Sequence, residues 1–219
     1  MNTLCATSTE LVSGGSELIA KFMRLFVALE IDVAIRERIA RFTGGVRNFA
    51  PDARWVKQDS LHVTLKFIGE QPEEKVESIK SGLNTVAAST SEIQFRGYGF
   101  FPTPKSARVF WVGMECGPEL GALAAAIDGK MSALDIPRED REFSPHLTLA
   151  RTGAGSGSPR RLRNDAPNRV FQHLQAKLAN LSSVPEFGTM IPHEFFLYQS
   201  QLSPKGSRYI KLAGFPLRS

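Results

Sequence analysis

Two histidines occur in the same short pattern, in which a threonine follows two residues later. Residues 62–65 read His-Val-Thr-Leu, and residues 146–149 read His-Leu-Thr-Leu. In a β-strand, residues i and i+2 point to the same face, so each copy presents an imidazole beside a hydroxyl. If the two copies face each other, they can hold a phosphate between an acid and a base. We therefore predict a catalytic pair, His62 and His146. The predicted phosphate-binding hydroxyls are those of Thr64 and Thr148.

The similarity between the two copies extends upstream of the histidines. An apolar segment headed by arginine begins at Arg24, 38 positions before the first histidine (62 − 24), and another begins at Arg108, 38 before the second (146 − 108). The offset between the copies is 84 in both comparisons. A matched strand at a matched distance indicates a duplicated unit. We expect one domain, residues 23–217, with pseudo-repeats of about 23–104 and 105–217.

Two cationic residues follow the motifs closely. Lys66 lies on the same face as His62 if the strand keeps its period of two, so we predict that it adds charge to the phosphate pocket. Arg151 falls one step off that face and needs a bulge or a strand end to reach the phosphate. We include both among the predicted phosphate-binding residues.

Composition limits the remaining possibilities. The chain has 219 residues, is 42% hydrophobic and carries a net charge of +5, so it can bury one sizeable core. Its two cysteines indicate no disulfide framework and fit a reducing, cytoplasmic location. No apolar stretch reaches the roughly 18–20 residues that span a bilayer. Residues 1–22 lack the features of a signal peptide, and we expect them to form a disordered tail.

A basic segment follows the second motif. Between Leu147 and Val170, a single acid accompanies five arginines, which are Arg151, Arg160, Arg161, Arg163 and Arg169. Basic residues beside a phosphate site indicate an anionic substrate larger than the reacting group, although a solvated loop fits equally well. Residues 152–167, which include three of these arginines, are rich in Gly, Ser and Pro and are predicted to form a long flap.

Strands and helices alternate along the rest of the chain. Apolar residues at helical spacing predict helices that begin near positions 32, 72, 118 and 170, the first ending at Gly44 and Gly45. The predicted strands are 24–30, 54–56, 60–68, 92–101, 107–114, 143–151, 184–190, 193–202 and 208–217. This order predicts an α+β fold that is duplicated and bilobal, with two antiparallel sheets facing across a central cleft and helices outside.

The motifs and their surroundings resemble the two-histidine (2H) phosphoesterases, and more narrowly the RNA 2′,3′-cyclic phosphodiesterases once described as 2′-5′ RNA ligases. The resemblance rests on residues 23–28 (MRLFVA), 54–56 (RWV), 61–70 (LHVTLKFIGE), 145–151 (PHLTLAR) and the ending 208–217. It covers roughly residues 23–217, with both signature tetrapeptides intact. The N-terminal tail and the length of the 152–167 loop depart from the family pattern.

The resemblance implies hydrolysis of a 2′,3′-cyclic phosphate on RNA or a nucleotide to a 2′-phosphomonoester, without a metal or other cofactor. In this family the first histidine is the proton donor and the second the acceptor. His146 would thus deprotonate the attacking water, and His62 would protonate the departing 3′-oxygen. The expected partner is RNA or an oligonucleotide with a 2′,3′-cyclic phosphate end. We expect no membrane partner and a monomeric protein.

Three other functions fit parts of the pattern. A metal hydrolase is disfavoured, because neither motif has HExxH-like spacing or a nearby acidic cluster. A non-catalytic nucleotide- or RNA-binding module would also use the predicted phosphate-binding site, but two intact histidines weigh against this function. 2′-5′ RNA ligase activity needs the same acid and base, but water at about 55 M competes with a 5′-hydroxyl. Hydrolysis should survive EDTA and depend on pH as a bell with limbs near neutrality.

Overall fold

The structure is a computed structural model that describes residues 21–153, 168–203 and 206–218. Its strands in these ranges are β1 (Phe22–Glu30), β2 (Arg54–Trp55), β3 (His62–Pro72), β4 (Ile93–Phe101), β5 (Val109–Cys116), β6 (His146–Arg151), β7 (Glu186–Met190), β8 (Glu194–Ser203) and β9 (Gly206–Pro216). The α-helices are α1 (Val33–Val46), α2 (Val76–Asn84), α3 (Pro118–Ser132) and α4 (Gln172–Ala179). Short 3₁₀ helices cover Arg47–Phe49, Gln58–Ser60 and Glu73–Lys75.

The strands form two antiparallel sheets. The first has the order β3-β1-β8-β9, and the second has the order β2-β6-β5-β4-β7. Helix α3 packs against β3, α2 against β9, and α1 against β7, so helices cover the outer faces. This arrangement confirms the predicted α+β fold of two sheets facing across a cleft. None of the helices in the described ranges has the length and apolar character needed to cross a membrane.

Strand β1 shows how each sheet separates its two faces. Leu25, Val27 and Leu29 point outward into the main core beneath the helices. Phe26 and Ala28 point the other way and join a smaller buried cluster on the inner face. Both faces of β1 are therefore apolar, which explains why the strand reads as a continuous hydrophobic stretch rather than an alternating one.

The two sheets do not follow the predicted pseudo-repeat intervals. Strand β4 precedes residue 104 but lies in the second sheet, whereas β8 and β9 follow residue 105 but lie in the first. The offset also changes within the repeat. Thr64 pairs with Ala28 and Thr148 pairs with Trp111, so β1 and β5 correspond at an offset of 83 (111 − 28) while the motifs correspond at 84 (148 − 64). The gapless match of Arg24 with Arg108 is therefore wrong by one residue.

The predicted end of the first helix is wrong, and two other predictions concern residues outside the described ranges. Helix α1 continues through Gly44 and Gly45 to Val46, where a 3₁₀ turn follows. Neither glycine has a positive φ, so neither adopts the left-handed conformation that ends helices. The predicted tail, up to residue 20, and most of the 152–167 loop lie outside the described residues, and β1 already begins at Phe22.

Candidate active site

The two motif histidines lie at the first positions of β3 and β6 and line one cleft between the sheets. The cleft has a volume of about 190 Å³. Thr64, Thr148 and Arg151 line the same cleft. The structure therefore brings together five of the six predicted site residues, and the sixth is Lys66.

Both imidazoles are anchored in the same way. The Nδ1 atom of His62 is 2.8 Å from the carbonyl oxygen of Ser60, and that of His146 is 2.8 Å from the carbonyl oxygen of Ser144. A carbonyl can only accept a hydrogen bond, so each Nδ1 must donate one. This contact selects the Nδ1-protonated tautomer and leaves each Nε2 to exchange a proton with a ligand.

A β-bulge follows the threonine in both motif strands. In β3, Thr64 pairs with Ala28 and Lys66 with Val27, so Leu65 is an extra residue. In β6 the same shift makes Leu149 the extra residue. Each bulge reverses the alternation of the side chains that follow it. Arg151 thereby reaches the cleft, where its Nη2 donates to Thr148 Oγ1 at 3.3 Å.

The same reversal makes the predicted position of Lys66 wrong. Its side chain is 1% exposed and points to the helix side of the first sheet, away from the cleft. Its Nζ lies 2.6 Å from Asp128 Oδ1 on α3 and donates to the carbonyl of Pro137 at 2.8 Å. The residue after the bulge that faces the cleft in β3 is Phe67.

Aromatic rings surround the two histidines differently. The His62 ring lies 4.9 Å from Phe26 and 5.1 Å, edge-on, from Tyr209. The His146 ring lies 5.0 Å from Phe101 and 6.4 Å from Trp111. These contacts restrict the orientation of both imidazoles.

Gly99 allows the ring of Trp111 to lie against the neighbouring strand. The two residues pair across β4 and β5, and a Cβ atom at Gly99 would overlap the indole ring. The indole therefore packs against bare backbone on the cleft face of the second sheet, at a place where any larger residue would displace it.

Burial and positive charge shift both histidines toward the neutral form. The pKa of His62 is lowered to about 4, chiefly by burial and also by the charges of Arg151 and His146, against the opposing effect of the Ser60 carbonyl. Burial also lowers the pKa of His146, and Arg151 adds to the effect against the Ser144 carbonyl. Without a bound anion, both imidazoles are therefore neutral at pH 7.

Other cleft residues were missed or only partly foreseen in the sequence. Arg24, Arg54, Lys57, Ser200 and Ser207 line the cleft, as do the aromatic residues Trp55 and Tyr209. Alternation with Phe26 along β1 is a signal for Arg24. Nothing in the sequence shows that β2 pairs with β6, which is what brings Arg54 to the site.

Phe100, the two histidines outside the motifs and Arg169 lie outside the cleft. Phe100 packs in the core against Phe110. His173 and His193 are exposed and do not line the cleft. Of the basic segment beyond Arg151, only Arg169 is described, and it is exposed outside the cleft. In the described part of the chain, no three His, Cys, Asp or Glu side chains come together in a cluster that could hold a metal ion.

Comparison with known proteins supports the resemblance read from the motifs. The family model for LigT-like phosphoesterases matches residues 29–111. The RNA 2′,3′-cyclic phosphodiesterase of Archaeoglobus fulgidus is 34% identical over 193 residues, which cover 88% of this chain and 99% of the relative. That of Methanocaldococcus jannaschii is 31% identical over 188 residues, covering 85% and 96%.

The fold matches as well. The crystal structure of E. coli LigT complexed with 3′-AMP superposes with a TM-score of 0.70 and is 26% identical, covering 91% of this chain and 100% of LigT. Sequence similarity over nearly the full length of the relatives and the shared two-sheet architecture agree with each other. This chain belongs to the LigT-like phosphoesterase family.

Proposed function

We propose that this protein hydrolyses a 2′,3′-cyclic phosphate, at the end of RNA or on a nucleotide, to a 2′-phosphomonoester by two-histidine acid/base catalysis. One observation carries the proposal. Two imidazoles with the same Nδ1 anchor line one cleft, beside two threonine hydroxyls and a guanidinium. That set contains a base, an acid and donors for phosphate oxygens, which are the groups that in-line attack on a phosphodiester requires.

The proposed reaction transfers one proton at each side of phosphorus. Nε2 of His146 removes a proton from water, and the water oxygen forms a bond to phosphorus. The bond between phosphorus and the 3′-oxygen breaks, and that oxygen takes a proton from Nε2 of His62. The products are a 2′-phosphomonoester and a 3′-hydroxyl. Each proton transfer contributes about 10²–10⁴ in rate.

Three side chains are proposed to stabilise the charge on the non-bridging oxygens. The hydroxyls of Thr64 and Thr148 lie two residues after the histidines, on the same face of each strand. Arg151 adds a guanidinium that already donates to Thr148. Because the cleft is partly buried, donors arranged before the reaction stabilise the developing charge more strongly than water does.

Binding of the anionic substrate favours the protonated form of His62, which is the proposed acid. His62 must be protonated to act as the acid, yet its pKa in the free protein is about 4. A bound phosphate anion favours the charged form of a neighbouring imidazole and raises its pKa. The two histidines then share one proton in the complex, and their titration belongs to the pair.

The relatives support the same substrate class. Several curated relatives over most of this chain are RNA 2′,3′-cyclic phosphodiesterases. The structurally similar E. coli LigT was crystallised with 3′-AMP, a nucleotide that carries a phosphate at a ribose hydroxyl. The intact histidine pair in this chain supports extending that activity to it.

Turnover of a dinucleotide with a 2′,3′-cyclic end, followed by phosphorus NMR, tests the proposal. We expect a 2′-phosphate as the product, unchanged activity after prolonged EDTA treatment, and turnover lowered by at least about 10²-fold in the His62→Ala/His146→Ala double variant. A 3′-phosphate product contradicts the proposed bond cleavage. Activity lost in EDTA and restored by zinc or manganese contradicts the proposed mechanism. A 2′-5′ linked product in the presence of a 5′-hydroxyl oligonucleotide assigns ligation instead.

A further inference from the structure

The cleft carries more positive charge than a single reacting phosphate requires. Four cationic residues line it, and no aspartate or glutamate is among its described lining residues. The cations are Arg24, Arg54, Lys57 and Arg151. Arg151 contacts a predicted phosphate-binding residue, Thr148. A cyclic phosphate carries one negative charge, so the other cations indicate a ligand with further negative groups.

Arg54, one of these other cations, lies next to Arg151 in the second sheet. They are directly opposite each other in the antiparallel pair of β2 and β6. Side chains at such positions share a face of the sheet, with Cβ atoms about 4.5–5.5 Å apart, and like charges there repel each other. An anion bound between or beside the two guanidinium groups would relieve that repulsion.

The strand that carries Arg54 is held firmly although it has only two residues. The next residue, Trp55, donates from Nε1 to the carbonyl of Ala50 at 3.1 Å and packs edge-on against Phe110 at 5.9 Å. The Val56 amide donates to the Leu149 carbonyl at 2.8 Å. Arg54 and Lys57 therefore project from a backbone that is tied to the second motif strand.

The opposite wall of the cleft supplies neutral donors. Ser200 and Tyr209 pair across β8 and β9, and Ser207 lies two residues before Tyr209. Hydroxyls of this kind bond phosphate and ribose oxygens without reading the base. The first sheet thus faces the basic residues of the second sheet with groups suited to a nucleic-acid backbone.

We propose that Arg54 and Lys57, with the hydroxyls of Ser200 and Ser207, form a second anion subsite, named here the backbone subsite. It binds the phosphodiester that joins the terminal nucleotide of an RNA strand to its 5′ neighbour. The site discriminates in favour of oligonucleotides over cyclic mononucleotides. This inference rests on the proposed function, since it takes the reacting phosphate to lie between His62 and His146.

The test removes the two charges of the backbone subsite and compares two substrates. For the Arg54→Gln/Lys57→Gln variant, kcat/KM on a dinucleotide with a 2′,3′-cyclic end should fall about 10-fold, and its salt dependence should flatten. On a 2′,3′-cyclic mononucleotide, kcat/KM should change less than about 2-fold, because that substrate lacks the second phosphate.

A matched variant controls for net charge. Arg41 and Lys130 are exposed and do not line the cleft. Arg41→Gln/Lys130→Gln loses the same two charges and should treat both substrates as the wild type does. An equal loss on both substrates in the subsite variant, or no loss on the dinucleotide beyond the control, overturns the backbone subsite.

Failure of the proposed function gives a different result. In that case the wild type hydrolyses neither cyclic substrate. The backbone subsite is then tested by calorimetry, with a 2′-phosphorylated dinucleotide and a 2′-phosphorylated mononucleotide as the probes. If the dinucleotide binds more tightly than the mononucleotide, and Arg54→Gln/Lys57→Gln loses this difference in affinity, the backbone subsite is supported. Equal affinities contradict it.

Discussion

His62 and His146 are anchored by the same contact but lie in different surroundings. Each Nδ1 lies 2.8 Å from the carbonyl two residues upstream. His62 packs between Phe26 and Tyr209 in the first sheet and has a pKa of about 4. His146 lies beside an edge-on phenylalanine and a tryptophan of the second sheet. The shared anchor leaves Nε2 of each imidazole available, and burial in these different aromatic surroundings lowers the pKa of both histidines.

The two motif strands diverge further after their bulges. In β6 the bulge leads to a small buried alanine and then to Arg151 in the cleft. In β3 it leads to the buried Lys66 and then to Phe67 in the cleft. The cationic side chain that faces the cleft next to the motifs therefore comes from the second motif strand, while the first motif strand supplies an apolar wall and an internal ion pair. The two motif strands therefore share their backbone geometry and differ in what their side chains contact.

The shared anchor predicts similar effects from removing either imidazole. We expect His62→Ala and His146→Ala each to lower kcat by about 10²–10⁴, because each removes one proton transfer. The double variant should lose much less than the product of the two effects. Steady-state kinetics on a cyclic mononucleotide, with circular dichroism to verify folding, provide the measurement. Near-wild-type activity in either single variant would rule out a two-histidine site.

The divergence after the bulges predicts unequal effects at equivalent positions. Arg151→Gln should lower kcat/KM by about 10², as expected for loss of a charged donor to the reacting phosphate. Its removal should also raise the pKa of both histidines, since the Arg151 charge lowers both. Kinetics and NMR titration of the imidazoles measure the two effects.

Phe67→Leu is the matched control for Arg151→Gln, because Phe67 occupies the corresponding position in β3. It should change kcat/KM by less than about 3-fold, since a leucine retains most of the apolar wall. Arg151→Lys should lie between wild type and Arg151→Gln, because a lysine restores the charge without the planar fork. Equal losses in the Phe67 and Arg151 variants would contradict the division of roles.

Periodicity in the sequence was sufficient to predict the strands and helices, and the repeated motif was sufficient to single out the two histidines. Strands with apolar alternation and helices with apolar stripes follow local rules, and the structure has them near the predicted positions. Periodicity alone did not predict which face of its sheet the side chain of Lys66 or of Arg151 lies on. Each lies beyond a single-residue bulge, and a bulge depends on how a strand pairs with its neighbour. Arg151 could be placed in the cleft only by assuming such a bulge.

The pairing of β2 also lay beyond local pattern. Two residues, Arg54 and Trp55, give no measurable periodicity, and their partners in β6 are almost a hundred positions away. Likewise, the membership of β4 in the second sheet depends on long-range pairing rather than on its own residues. The parts of the cleft that depend on such pairings were the parts that the sequence left open.

The ion pair between Lys66 and Asp128 predicts a cost in stability. Lys66→Met should lower the free energy of unfolding by about 2–3 kcal/mol, because the Asp128 carboxylate and the Pro137 carbonyl both lose the hydrogen bond from the lysine. Chemical denaturation measures the loss. The control is Lys80→Met, whose partner Glu77 is 80% exposed and whose loss should cost less than about 1 kcal/mol. Equal costs in the two variants would show that the buried pair has no special weight.

The cost at Lys66 should depend on pH. Burial alone would raise the pKa of Asp128, but hydrogen bonds from Lys66 and the Glu139 amide, with the charges of Lys66 and Arg138, hold it below 3.8. A carboxylate with a lowered pKa stabilises the fold above its unfolded pKa, and this stabilisation is lost as the pH falls through the folded pKa. The difference between wild type and Lys66→Met should therefore shrink in acid. A difference that stays constant would assign the cost to packing alone.

The lowered pKa values of both histidines predict a modest separation between two pH profiles. The profile of kcat/KM reports the free enzyme, in which both histidine pKa values are lowered. The profile of kcat reports the complex, in which the phosphate anion raises both. The optimum of kcat/KM should therefore lie at lower pH than that of kcat. Limbs near neutrality, the expectation from unperturbed histidines, should appear only in the kcat profile.

Rates for a cyclic mononucleotide between about pH 4 and 9 test this separation. The cause can be checked in Arg151→Gln, where losing the positive charge should move the kcat/KM optimum upward and narrow the gap. Burial and Arg151 lower the pKa of both histidines in the free enzyme, and the phosphate opposes them in the complex. Coinciding optima in the wild type, or a gap unchanged in Arg151→Gln, would mean that substrate charge does not set the protonation of the pair. The proton that His62 donates would then have to come from a state already present in the free enzyme.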